Sequence, residues 1–382
     1  MYSRAIFYYI VFMFFAACTS TESGSDAGYD GFDTEAILSR AKKHLSSAPV
    51  TVTTFKATRS KGGKHDYYSE GRYWWPDPEH PDGPYIRKDG QSNPELFTAH
   101  RSAIKDFEDI VCDLTIATII EGDKRYSEHI LSHLNAWFVD SATYMNPSLL
   151  YAQAIKGIVD GRGIGMIDVI GLINVSNSIR VLEEKKFIDS EDLRGVKNWF
   201  GQFAEWATTH SHGMDEKNNN NNHSTWWGAQ IASYGLVAND PDVMQVAIEQ
   251  FKSQLQIQMD SIGRFPHELE RTKPSHYTNY TLYAWTSYAE LLSATSFDAW
   301  SYKTDKGGIA KAVEFGYQFF KDPEKWNYQT ELEPTFNPAH SEFLFLAGIG
   351  LNRPEYMDVW KNDNPHKGST ESHLLIWKLL EE

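Results

Sequence analysis

Cysteine is nearly missing from this 382-residue chain, which has two, Cys18 and Cys112. Cys18 closes an apolar run, Ala5 to Ala17, that follows Arg4. That run is shorter than the roughly 20 residues a membrane span needs, which disfavours a transmembrane anchor. Its end, Phe15-Ala16-Ala17-Cys18, has the form of a bacterial lipobox, in which the cysteine becomes a lipidated N-terminus. Phe15 stands where Leu is usual, so plain signal-peptidase cleavage is the alternative. Either way Cys112 is left without a partner, no disulfide forms within the mature chain, and its apolar helical surroundings suit an inert core thiol. The expected division is a lipoprotein signal peptide at 1–18, a flexible tether at 19–34 and one folded domain at 35–382. Such a protein is expected to be exported, to the periplasm or outer membrane of a Gram-negative bacterium, and to meet the membrane only through its lipid.

Positive charge is also scarce. Lys and Arg number 36 against 51 Asp and Glu, a formal net charge of −15. The average field of such a body repels polyanions, which disfavours nucleic acid as a partner. An acidic polysaccharide meets the same objection unless cations gather in one groove. There, screening over about 8–10 Å lets a local patch outweigh distant acids.

Other signatures are absent. No fixed-period repeat is found, which argues against a tetratricopeptide-type array. Gly161, Gly163 and Gly165 do not make a dinucleotide site, because the GxGxxG order and its acidic partner are missing. HELER, at 267–271, lacks the second histidine of a zinc-binding HExxH helix. No metal or cofactor is expected. Few stretches alternate with period two; Thr51 to Phe55 (TVTTF) is the best strand candidate.

What the chain has in quantity is helical periodicity and aromatics. Ile104, Phe107, Val111, Leu114 and Ala117 recur at spacings of three and four, as do Tyr126, Ile130, Leu134 and Trp137. Further amphipathic segments run through about 166–186, 190–209, 241–260, 279–296, 306–321 and 370–381. Many helices with short connections imply antiparallel pairs and an all-α fold, an (α/α) toroid or incomplete barrel with a central substrate cleft. Chemistry is then expected in the long irregular segments 59–98, 140–165, 210–225 and 263–280. Twelve Trp and twenty Tyr are more than a core normally needs, and flat rings exposed in a cleft suit the C–H faces of sugars; an aromatic core is the plain alternative.

Four segments carry candidate chemistry. In 66–95, Tyr67, Tyr68, Trp74 and Trp75 are interleaved with Arg72, Arg87 and Lys88 among prolines, an arrangement that fits a sugar carboxylate stacked and charge-paired in one subsite. A proline-rich cover over the helices gives the same pattern. In 145–168, Asn146, Gln153 and Arg162 are polar groups among apolar ones, with binding and structural roles equally open. In NNNNNHSTWW, Asn218 to Trp227, a run that by itself resembles a low-complexity linker ends at a helix start. There Asn222 can donate two N–H bonds and His223 can exchange a proton near neutral pH, with Trp226 beside them. In 265–286, Arg271 lies six residues before Tyr277, with Lys273 and Tyr280 close by.

The combination of YWWPDP, MNPSLLYAQ with GRGIGMID, NNHSTWW and ELERTKPSHYTNYTL resembles the alginate-lyase superfamily over roughly residues 35 to 375. The likeness is nearest to the family 38 polysaccharide lyases and more distant to family 5. It implies an (α/α) toroid acting on alginate or glucuronan. The family's catalytic Asn-His pair, Arg and Tyr then fall on Asn222, His223, Arg271 and Tyr277. Where family 5 reads close to YHNYAL this chain reads YTNYTL, and Tyr280 is the second phenol of that segment. The implied reaction is β-elimination: a uronate loses its C5 proton and expels the 4-linked oxygen. Asn222 and His223 would neutralise the carboxylate so that charge can move into it. A guanidinium beside a phenol favours the phenolate, so Arg271 is expected to ready Tyr277 as base; as phenol it then protonates the leaving oxygen. Where proton and leaving group lie on opposite faces, His223 is the better base.

Two other readings share the fold class and the export signal. An (α/α) glycoside hydrolase would need two opposed carboxylates, drawn from Asp66, Glu70, Asp77, Glu95 and Glu268. A non-catalytic glycan-binding surface lipoprotein would need only the aromatics.

Overall fold

The computed structural model describes residues 31–363 and 368–381. Cys18 and the signal-peptide reading lie outside the described residues. Asp33–Glu382 form one compact unit. Its helices, in chain order, are α1 (Thr34–His44), α2 (Ala99–Glu121), α3 (Lys124–Phe138), α4 (Leu172–Glu184), α5 (Arg194–Thr209), α6 (Ser211–Lys217) and α7 (Asn222–Ala238). There follow α8 (Pro241–Gln258), α9 (Pro266–Leu269), α10 (Pro274–Ser293), α11 (Ile309–Lys321), α12 (Glu342–Gly350), α13 (Pro354–Asp363) and α14 (Thr370–Leu379).

Two kinds of helix make the architecture. Along α7, Trp226, Trp227, Ile231 and Tyr234 are buried together with Ser224, Thr225 and Gln230, and α12 is apolar on every side after Glu342. A helix buried all round has to be surrounded by others. The outer α5 instead buries one stripe, Val196, Trp199, Phe200, Phe203, Ala204 and Ala207, at helical spacing. The buried kind forms an inner ring: α2 packs on α4, α4 on α7, α7 on α10, α10 on α12, α12 on α14, and α14 on α2 again. Around it, α1 covers α2, α3 covers α2 and α5, α5 and α8 flank α7, α11 lies on α10 and α12, and α13 lies on α12. The fold is the expected (α/α) toroid, with its ring closed by α14 against α2.

The strands lie elsewhere than expected. TVTTF forms a 3-10 turn, Val52–Thr54, in which Thr51 and Thr54 cap each other reciprocally. Local side-chain bonds to the backbone override the β preference of those threonines. The strands β1 (Tyr68–Glu70), β2 (Trp74–Trp75), β3 (Ile86–Arg87) and β4 (Tyr151–Ala154) sit in the two long segments instead. β1 runs parallel to β4, pairing Tyr68 with Tyr151, and β2 runs antiparallel to β3, pairing Trp74 with Arg87. Segments 210–225 and 263–280, expected to be irregular, contain α6, α9 and the first turns of α7 and α10. Most of the aromatic surplus is core: Trp137, Trp227, Trp285, Trp326, Trp360 and Trp377 are fully buried, whereas Trp74 and Trp75 keep partly open faces. Cys112 is buried and touches Ser178.

Candidate active site

The site is assembled where α7 and α10 begin. Asn221 caps α7, accepting the His223 backbone N–H at 3.2 Å, so the helix starts inside the asparagine run. Asn222 is fixed next: its backbone N–H and side-chain amide both donate to one Glu268 oxygen, at 2.6 and 2.7 Å. On α10, Pro274 occupies the first turn, where a missing N–H costs nothing. The Glu333 carboxylate accepts the free N–H groups of Ser275 and His276 at 2.6 and 3.1 Å, a favourable place for negative charge. These bonds fix the turn that carries Tyr277.

Arg271 joins the two helix starts. Its guanidinium lies 3.7 Å over the centre of the Tyr277 ring, 3.1 Å from Asp89 and 3.9 Å from the second oxygen of Glu268. Glu268, 1% exposed, is thereby a bracket between Asn222 and Arg271. Its outer oxygen has no hydrogen-bond donor. The Tyr277 hydroxyl is 2.8 Å from that of Tyr73, which ties the aromatic segment 66–95 to the same place. His223 Nδ1 sits 2.7 Å from Glu216, a buried carboxylate that also accepts the Asn219 amide at 2.9 Å. Asn219, Asn221 and Asn222 thus each have a defined bond.

Two protonation states follow. Burial alone would lower the pKa of His223; the hydrogen-bonded Glu216 carboxylate, with Glu268 behind it, outweighs burial and Arg271 and raises it. With Nδ1 committed to Glu216, Nε2 is the ring's remaining donor. Burial pushes the Tyr277 phenol well above its ordinary value, with Arg271 pulling the other way and the Tyr73 hydroxyl adding to the rise. Burial outweighs Arg271 in the free protein, so the guanidinium acts in the expected direction without making the phenol a ready phenolate. The guanidinium also faces Asp89 at 3.1 Å and Glu268 at 3.9 Å.

Other residues expected at the site lie around these. Arg162 donates to the Gln153 carbonyl and side chain at 2.9 and 3.3 Å and lies 5.8 Å over the Trp74 ring. Burial and the neighbouring Arg87 push its pKa down to about 10. Gln153, held with a left-handed backbone at φ 55°, donates to Asp168 at 2.8 Å. Gly163 lets this loop touch α6: a Cβ there would lie 2.4 Å from the His212 carbonyl, near the helix that carries Glu216. Arg72 is exposed; burial raises the Tyr280 pKa with Arg72 opposing it, and burial lowers that of His276 with Lys273, Arg271 and Arg72 adding to the fall. Lys273 stands at the N-terminal boundary of α10 without a side-chain capping bond, and its charge acts on His276. Arg87 pairs with Asp89 at 2.7 Å, and Lys88 lies 5.2 Å over Trp75.

Three placements correct the sequence reading. Tyr67 and Tyr68 are 0% and 3% exposed; Tyr67 bonds Asp168, and neither offers a face to a sugar. Asn146 donates to Asp66 at 2.7 Å and ties its loop to the start of the 66–95 segment. Trp226 is buried behind Tyr280, 5.2 Å between ring centres, so it supports a ring instead of presenting one. Glu216, Asp89, Tyr73 and the His276–His340 pair beside Tyr280 were not singled out from sequence. Glu216 had a signal in its spacing, seven residues before His223 across a short helix; the others had none.

Residues 51–326 match the family described as alginate lyase. The chain is similar to a crystal structure of an alginate lyase from Bacteroides ovatus, at 30% identity over 92% of this chain and 93% of that one, with a TM-score of 0.79. Alginate lyase A1-III from Sphingomonas species A1 shares the fold at 18% identity, over 84% of this chain and 87% of that one, with a TM-score of 0.53. A variant of A1-III complexed with tetrasaccharide gives a TM-score of 0.55 at the same identity, over 84% and 86%. No curated protein matches in sequence. The extent of the family match, and the likeness over nearly the whole of a 30%-identical structure, show that this chain belongs to the alginate lyase family.

Proposed function

We propose that this polysaccharide lyase cleaves alginate, and also 4-linked glucuronan, by β-elimination without a metal. The observation that carries the reading is the bracket itself: Glu268 links Asn222 to Arg271, and Arg271 lies on the Tyr277 ring, so four residues from three segments converge. In the proposed step, the second Asn222 amide hydrogen, the Nε2–H of an imidazolium His223 and Arg271 neutralise one uronate carboxylate. Side-chain donors suffice for that, in a site where preformed dipoles are worth several kcal/mol. As phenolate, Tyr277 takes the C5 proton and, as phenol, gives it to the departing 4-linked oxygen, which leaves the phenolate ready for the next cycle. The cations Arg72, Arg162 and Lys273 favour a polyanion against the net negative body.

The hydrolase reading finds less support. Glu70 is bonded to Arg59 and the Phe97 N–H, Asp66 to the Gly63 N–H and Asn146, and Glu268 to Asn222, so these carboxylates are already engaged. Export and lipidation at Cys18 belong to the same proposal and rest on the lipobox-like Phe15-Ala16-Ala17-Cys18. The deciding experiment is incubation of the purified protein with polymannuronate, polyguluronate and polyglucuronate. Unsaturated uronate absorbance with shortened chains supports the lyase; shortened chains without absorbance support a hydrolase, and unchanged chains a binding protein.

A further inference from the structure

His129 and His133 lie one turn apart on α3, so their rings share a face. Their Nε2 atoms are 3.3 Å apart, and both meet the same backbone oxygen, that of Ser47, at 3.0 and 3.2 Å. Ser47 belongs to the segment after α1, 82 residues from His129. Three donor atoms from two distant parts of the chain therefore form a triangle with edges of 3.0, 3.2 and 3.3 Å. An ion bonded to two imidazole nitrogens at about 2.0–2.1 Å with tetrahedral angles holds them about 3.3–3.4 Å apart. The rings are 4.8 Å apart and inclined at 73°, so this is not a stack.

The surroundings suit a ligand set. His133 is 1% exposed, so its ring is fixed by the packing around α3. His133, Ser47 and His44 line a cavity of about 420 Å³ bounded by α1, α2 and α3, apart from the site on α7 and α10. The buried Trp137 N–H, which has no partner, belongs to the same wall. Among the described residues no three His, Cys, Asp or Glu side chains converge on a metal, so the protein's share here is two imidazoles and a carbonyl.

We propose that His129, His133 and the Ser47 carbonyl bind a divalent ion of the zinc class, which clips the segment after α1 to α3. Imidazole donors favour zinc, nickel and copper over magnesium or calcium. The ion stands outside the lyase chemistry and acts on the fold, by stabilising the state that binds it.

The test uses the full untagged protein, stripped with a chelator and titrated with Zn²⁺ by calorimetry. The expected result is one ion per chain at micromolar affinity or tighter, and a thermal midpoint that rises with Zn²⁺. His129→Gln, at a half-exposed position, should weaken binding by at least about tenfold while helical circular dichroism and activity on alginate stay unchanged. His133→Gln should abolish binding; if that buried variant misfolds, His129→Gln still decides. The chain has 14 histidines, so affinity unaltered in His129→Gln would assign the ion to others and overturn the proposal, as would the lack of saturable binding.

Discussion

The Arg271 guanidinium lies 3.7 Å over the Tyr277 ring, yet the phenol stays protonated in the free protein. Arg271 also faces Asp89 and Glu268, and burial of the hydroxyl opposes ionisation. Tyr277→Phe removes only the oxygen. Turnover should fall by about 10²–10⁴-fold or more while oligouronate binding, measured by calorimetry, stays within a fewfold. Near-normal activity in this variant would assign the proton transfer to another group.

Glu216 favours the charged form of His223 and raises its pKa against burial. In Glu216→Gln the attraction is lost, burial weighs more, and the His223 pKa should fall. Where imidazolium neutralises the carboxylate, activity is present below that pKa and lost as pH rises through it. The alkaline limb of kcat/KM should therefore move to lower pH. An unmoved limb would show that His223 does not act as a cation.

Glu268→Ala breaks the bracket between Asn222 and Arg271. Loss of a charged acceptor from a buried site should cost about 2–3 kcal/mol in urea unfolding. The rate constant kcat should fall more than about tenfold, because both donors lose their fixed positions. A loss confined to stability would make Glu268 a brace for the fold alone.

Arg72 is exposed and acts on Tyr280 through its charge. Arg72→Ala should raise KM by roughly 3- to 10-fold with kcat little changed, an effect that shrinks as salt is added. A salt-independent change, or one in kcat alone, would place Arg72 in a different role.

Much of the fold was legible because helices announce themselves by period. The segments at 100–121 and 126–138 match α2 and α3 closely. α12 was missed because EFLFLAGIG is apolar on every side and has no stripe to read. TVTTF misled because strand preference and turn capping use the same threonines. At the site, Asn222, His223, Arg271 and Tyr277 were named through motif resemblance. Tyr67 and Tyr68 were misread because an aromatic side chain is the same in a cleft and in a core.

By itself the sequence determined the all-α class, the family motifs and the excess of acid over base. These depend on local period and residue type, which chain neighbours suffice to express. Only the tertiary structure decided that Glu268 joins Asn222 to Arg271, that Glu216 raises the His223 pKa and that burial raises that of Tyr277. Charge states depend on desolvation and on partners brought from distant segments, and both arise only when the ring of helices closes.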